Sequence, residues 1–145
     1  MERILVIGAN GQIGSELVEA LAEIHGEENV IAGDIGARSL AGAQRYETLD
    51  VLDSTRLAQV IDSNGITQVY QLAALLSVTG EQAPLRAWTL NMNGLLNILE
   101  IARERTAAGK PLRVFWPSSI AAFGPHTPAV ETPQLTVMAG TSRPA

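Results

Sequence analysis

The apolar run Arg3-Ile4-Leu5-Val6-Ile7 opens directly into Gly8-Ala9-Asn10-Gly11-Gln12-Ile13-Gly14, and apolar residues at helical spacing follow. A strand, a glycine turn and a helix start in that order leave few folds open. A pyrophosphate can sit on the free amides and positive dipole end of a helix only where the backbone approaches it without side chains in the way. Gly8 is expected to make the turn, Gly11 to allow the approach, and Gly14 to let helix and strand pack closely. The spacing is G-x-x-G-x-x-G rather than the commoner G-x-G-x-x-G, and an ordinary strand-turn-helix uses glycines too. A second feature adds weight. Twenty residues after Gly14, the run Asn29-Val30-Ile31-Ala32-Gly33 ends on Asp34, where a dinucleotide fold places the carboxylate that accepts the adenosine ribose hydroxyls.

Further along, Ile13, Leu17, Val18, Leu21 and Ile24 recur at three- and four-residue spacing, with Glu16, Glu19 and Glu23 largely opposite. This predicts an amphipathic helix that stops at His25-Gly26, His25 being a capping or solvent-facing residue rather than a ligand. Asn29 to Gly33 forms the second strand, and residues 35–45, rich in Gly, Ala and Ser, read as a loop or a short weak helix. Tyr46-Glu47-Thr48-Leu49 makes a third strand leading to Asp50-Val51-Leu52-Asp53. Asp53-Ser54 caps a helix through Leu57, Val60 and Ile61 that stops at Asn64-Gly65. The strand Val69 to Leu72 runs into Ala73-Ala74-Leu75-Leu76-Ser77, small residues that leave room for something flat.

Pro84 opens the longest helix, running from about Leu85 to Ala107. It is apolar nearly all round, so one side is expected to meet the sheet and another a partner. Leu112 to Trp116 is the last strand, with Pro117-Ser118-Ser119 at its carboxyl end, and from Gly124 onward the chain is loop-like. Strands alternating with helices predict an α/β fold: a Rossmann-like doubly wound parallel sheet of about five strands, with helices on both faces. Ligands in such folds bind at the carboxyl ends of the strands. The residues there are Gly8 to Gly14, Asp34, Asp50-Val51, Leu72 to Ser77 and Ser118-Ser119, all on one edge of the sheet.

Composition narrows the function. The 145 residues allow one domain with a real core and are too few for two. A net charge of −5 with no clustered Lys or Arg argues against nucleic acid and against an anionic membrane surface. The absence of cysteine excludes disulfides and thiol catalysis, removes the usual structural zinc ligands, and suits a reducing cytoplasm. The N-terminal apolar run is too short for a signal peptide, and no apolar stretch reaches bilayer length. No cluster of metal ligands stands out.

Several stretches together resemble the extended short-chain dehydrogenase/reductases, the NAD-dependent epimerase/dehydratase group, and within it the short-chain type of L-threonine 3-dehydrogenase. They are Gly8 to Leu17, Leu49-Asp50-Val51-Leu52-Asp53, Leu72-Ala73-Ala74-Leu75-Leu76-Ser77, Leu90-Asn91-Met92-Asn93-Gly94 and Phe115 to Pro125. The similarity covers residues 1 to about 138 but only the first half of a family member. The resemblance implies that Gly8, Gly11 and Gly14, with Gln12 and Ile13, cradle the NAD pyrophosphate. It implies that Asp34 binds the adenosine ribose and repels a 2′-phosphate, favouring NAD over NADP, with Arg38 near enough in sequence to oppose it. Asp50 and Val51 flank the adenine, Leu72, Ala73 and Ala74 line the route to the nicotinamide ribose, and Asn91 supports the site from the long helix. Ser119 matches the family's catalytic Ser/Thr, and Ser77 is a candidate substrate contact; from spacing alone, strand-end capping explains Ser118 and Ser119 equally well.

One expected feature is missing. The family's acid/base is the Tyr of a Y-x-x-x-K motif, whose Lys lowers the tyrosine pKa and holds the cofactor ribose. The tyrosines here are Tyr46 and Tyr70, the lysine is Lys110, and neither tyrosine has a lysine four residues on. The reading is therefore an NAD-binding Rossmann domain over 1–125 and a loop-like tail over 126–145, truncated before that motif. It implies the NAD(H)-binding part of an oxidoreductase, inactive alone, whose lineage takes L-threonine to 2-amino-3-ketobutyrate. A sugar-nucleotide epimerase or dehydratase fragment and a non-catalytic nucleotide-binding module are the alternatives. The resemblance also implies a homodimer through the 85–107 helix.

Overall fold

A computed structural model describes residues 2–37, 45–75 and 77–118. Within them, the apolar runs form β1 (Ile4–Ile7), β2 (Val30–Asp34), β3 (Arg45–Thr48), β4 (Gln68–Gln71) and β5 (Arg113–Phe115). All pair in parallel, in the order β3-β2-β1-β4-β5. That order grows outward from β1 in both directions, and such a reversal opens a crevice at the carboxyl ends of β1 and β4. Ile7 stands level with Gly33 on one side and Gln71 on the other, so the three central strands end at one height.

β1 is buried along its whole length because it is covered on both faces. Leu5 and Ile7 pack with Leu57, Val60 and Ile61 of α2 (Ser54–Ser63) and with Ile98 and Ile101 of α5 (Gly94–Ala107). Ile4 and Val6, one residue out of phase, pack with Val18, Leu21 and Ala22 of α1 (Gln12–His25). The strand period of two thus divides one apolar run between two cores.

The sequence spacing overestimates the buried stripe of α1. Ile13 and Ile24 are 69% and 73% exposed. A helix of this length spans about 21 Å, whereas a four-residue strand covers about 13 Å, so the first and last turns overhang the sheet. α1 ends as predicted: Gly26 adopts φ 89° and its amide donates to the Ala22 carbonyl at 2.9 Å. The Asp53 carboxylate caps α2, accepting from the Arg56 amide at 2.9 Å.

The long helix is less regular than its sequence suggests. α3 (Ser77–Gln82) precedes it unannounced, and the rod from Pro84 to Ala107 is α4 (Pro84–Trp88), a π-helical turn (Thr89–Asn93) and α5. Trp88, Thr89, Asn93 and Gly94 all hold helical dihedrals, so the π turn changes the register without breaking the rod. The expected two-sidedness holds: Ile98 and Ile101 face the sheet, while Leu85, Trp88, Leu96 and Leu99 are exposed.

Candidate functional site

The turn after β1 is built by close approach. Gly8 takes φ 84°, and a Cβ there would lie 2.7 Å from the Ala73 amide nitrogen. Its own amide donates to the Gly33 carbonyl at 2.9 Å, tying the turn to the end of β2. Gly14 is buried beneath the turn, where a Cβ would meet the Gly8 carbonyl oxygen at 2.2 Å. Gly11 differs: it is exposed, and its Cβ would approach only the Gly8 oxygen, at 3.2 Å. Gly11 also stands at the N-cap of α1, whose start has no side-chain cap and no acid in its first turn. No side chain caps the first amides of the helix, Gln12 to Gly14, an end where the helix dipole favours negative charge.

Across the crevice, Asp34 is held by two backbone amides. Its Oδ2 accepts from Asn10 at 2.9 Å and its Oδ1 from Gly36 at 3.2 Å. Each carboxylate oxygen keeps capacity for another donor, as a vicinal diol requires. The Asn10 side chain donates to the Tyr46 hydroxyl at 3.1 Å and to the Ala37 carbonyl at 3.2 Å, and that hydroxyl donates to the Gly36 carbonyl at 2.7 Å. Burial raises the Tyr46 pKa; the Asn10 hydrogen bond opposes the rise and the Asp34 charge adds to it, so the phenol remains a donor at neutral pH.

Between these two ends lies a cavity of about 650 Å³, within the range of sites that enclose small ligands and cofactors. Gly8, Gly11, Asp34, Asp50, Val51, Leu72, Ala73 and Ala74, all expected from the sequence, border this one space. Two asparagines support its walls from the helical rod. Asn91 Oδ1 accepts the Leu75 amide at 2.9 Å while its Nδ2 donates to the Leu75 carbonyl at 3.2 Å. Asn97 Nδ2 donates to the Val51 carbonyl at 3.0 Å. Gly94 lets α5 come this near: a Cβ there would lie 2.8 Å from Val51 Cγ1.

Gln12 and Ile13 lie outside the cavity lining, exposed in the first turn of α1, Gly14 lies under the turn, and Asn91 acts on Leu75. Ser77 opens α3. Ser119 and Arg38, with the tail over 126–145, lie outside the described residues. Sequence reasoning placed Asn10 in the glycine turn without its contacts to Asp34 and Tyr46, and missed Tyr46, Gly94 and Asn97, and also Arg86, which contributes a cation to the lining. Only Gly94 left a trace, in the Asn-x-Asn-Gly stretch; the rest act through contacts between segments far apart in the chain. Among the described residues, no three His, Asp or Glu gather as metal ligands, and no helix is long and apolar enough to cross a membrane.

An uncapped helix start, a carboxylate with free acceptor capacity and a slot lined by small and apolar residues meet at the switch point of a parallel sheet, the place where such sheets bind dinucleotides. The family model of the NAD dependent epimerase/dehydratases matches residues 4–144. The chain belongs to this family. A curated relative, an uncharacterized epimerase/dehydratase of Staphylococcus saprophyticus, is 46% identical across 98% of this chain and 44% of its own length. Among solved structures, the holo form of a GalE-like L-threonine dehydrogenase from Cupriavidus necator is 57% identical, with TM-score 0.78 over 88% of this chain and 40% of that one. L-threonine dehydrogenase from Clostridium difficile is 44% identical, with TM-score 0.81 over 92% of this chain and 41% of that one. The 145 residues thus span less than half the length of the relatives they match.

Proposed function

We propose that this chain carries the NAD-binding half of an oxidoreductase of the L-threonine 3-dehydrogenase kind. One observation carries the reading: the uncapped start of α1 at Gly11 and the Asp34 carboxylate bound a single cavity at the β1/β4 switch point. The α1 amides take the pyrophosphate, Asp34 takes the adenosine ribose, and Asp50 and Val51 flank the adenine. Leu72, Ala73 and Ala74 lead toward the nicotinamide. Bound NAD supplies a hydride acceptor, and the residues described here bind and orient it. The likeness to L-threonine dehydrogenases at 57% and 44% identity supports threonine as the substrate of the lineage. Ser77 and Ser119 are then its candidate contacts, and Ser119 the candidate catalytic hydroxyl.

Proton transfer needs a tuned base, and the sequence holds no Y-x-x-x-K motif. These 145 residues therefore bind NAD without oxidising threonine. The exposed face of the long rod is the candidate homodimer surface, and the absence of cysteine suits a cytoplasmic setting. The epimerase/dehydratase name of the family and of its curated relative favours a second reading, the same cofactor half serving sugar-nucleotide chemistry. Calorimetric titration with NAD beside an NADH absorbance assay with threonine tests the proposal: binding without turnover supports it, and turnover by this chain contradicts the division of labour.

A further inference from the structure

Tyr46 sits on β3, level with Ala32 of β2, and its ring packs on the core that α1 covers. Its hydroxyl does something packing does not require. It closes a ring of hydrogen bonds around Asp34: Tyr46 to the Gly36 carbonyl (2.7 Å), the Gly36 amide to Asp34 Oδ1 (3.2 Å), the Asn10 amide to Asp34 Oδ2 (2.9 Å), and Asn10 Nδ2 back to Tyr46 (3.1 Å). Both residues that orient the carboxylate through their amides are thus held by one phenol. A tyrosine has only two side-chain torsions and is a rigid anchor for such a ring. Without the hydroxyl, the Gly36 carbonyl and the Asn10 side chain each lose a partner, the latter keeping its bond to the Ala37 carbonyl.

We propose that Tyr46 is a positioning residue for the adenosine ribose, aiming the free lone pairs of Asp34 at the ribose 2′- and 3′-hydroxyls. This rests on the NAD reading above. The nucleotide does not touch the phenol; Tyr46 acts through Asn10 and Gly36. A merely structural tyrosine would affect stability and leave the recognition of one hydroxyl unchanged.

Tyr46→Phe keeps the ring and its packing and removes only the hydroxyl. The test compares the Kd of NAD with that of its analogue lacking the adenosine 2′-hydroxyl, for the 145-residue chain and the variant, beside their thermal midpoints. The wild-type chain should prefer NAD. Tyr46→Phe should weaken NAD about tenfold and the deoxy analogue much less, so that the ratio of the two falls toward one. Asn10→Ala, which opens the ring at another point while keeping the backbone amide, should lower the ratio in the same direction. A ratio unchanged in both variants, whatever their thermal midpoints, overturns the proposal for Tyr46 and leaves the NAD reading standing. A wild-type chain that binds neither nucleotide removes the NAD reading and this inference with it.

Discussion

A methyl group on Gly14 would stand 2.2 Å from the carbonyl oxygen of Gly8, the residue that turns β1 toward α1. The obstacle is backbone, so the helix must move off the turn to admit it. Gly14→Ala should therefore destabilise the fold by about 3 kcal/mol, the upper part of the range for overpacking. Thermal unfolding should show a midpoint lowered by roughly 10 °C.

Gly11 separates binding from folding. Its added Cβ would meet only the Gly8 oxygen, at 3.2 Å, and the position faces the cavity. Gly11→Val should keep the thermal midpoint close to that of the parent and abolish NAD binding in a calorimetric titration. Unchanged affinity would remove the pyrophosphate seat from this turn.

Asp34 is expected to set the choice of cofactor. Hydrogen bonds to a charged group contribute about 1.5–3 kcal/mol each, and a carboxylate repels a 2′-phosphate. Asp34→Ser should weaken NAD by roughly ten- to a hundredfold and bring NADP affinity up toward it. Parallel titrations with both nucleotides check this, and an unchanged preference would place the ribose contact elsewhere.

Asn91 holds Leu75 by both its amide and its carbonyl, at 2.9 and 3.2 Å. Asn91→Ala leaves those two groups without their partners, at a cost of about 1–3 kcal/mol. Denaturant unfolding should show that loss, and NAD affinity should fall because the stretch Leu72 to Leu75 lines the cavity.

Leu96 and Leu99 present apolar surface outward from the long rod at 55% and 45% exposure, beside Trp88 at 67%. Exposed apolar patches of this kind mark contact surfaces, and the proposed homodimer would use this one. The double variant Leu96→Glu, Leu99→Glu should sediment as a monomer where the parent associates. A persistent dimer would move the contact to another surface, such as the outer edge of β5.

The framework was legible wherever local chemistry settles the outcome. The apolar runs before Gly8, up to Asp34 and over Val69 to Leu72 became the adjacent strands β1, β2 and β4, the last shifted by one residue, and Asp53 and Gly26 marked helix ends as their side-chain and backbone chemistry requires. Because strand ends carry the ligand in such a sheet, about half of the cavity lining could be named in advance. What stayed hidden depends on segments meeting in space. Asn10 and Tyr46 are 36 residues apart and Asn97 and Val51 are 46 apart, so neither pair has a spacing signal. The π turn over Thr89–Asn93 was equally hidden in a helix with apolar residues on most of its sides, and α3 in a short polar stretch without a period. Ile13 and Ile24 matched the apolar face in sequence and remained exposed because the helix outruns the strand beneath it.

The central claim is that one cavity at the ends of β1, β2 and β4 holds a dinucleotide. Calorimetric titration of NAD into the 145-residue chain, run beside the Gly11→Val variant, tests it most directly. Saturable one-to-one binding by the parent, lost in the variant, is the predicted result. No binding by a folded parent, or equal binding by both, would contradict it.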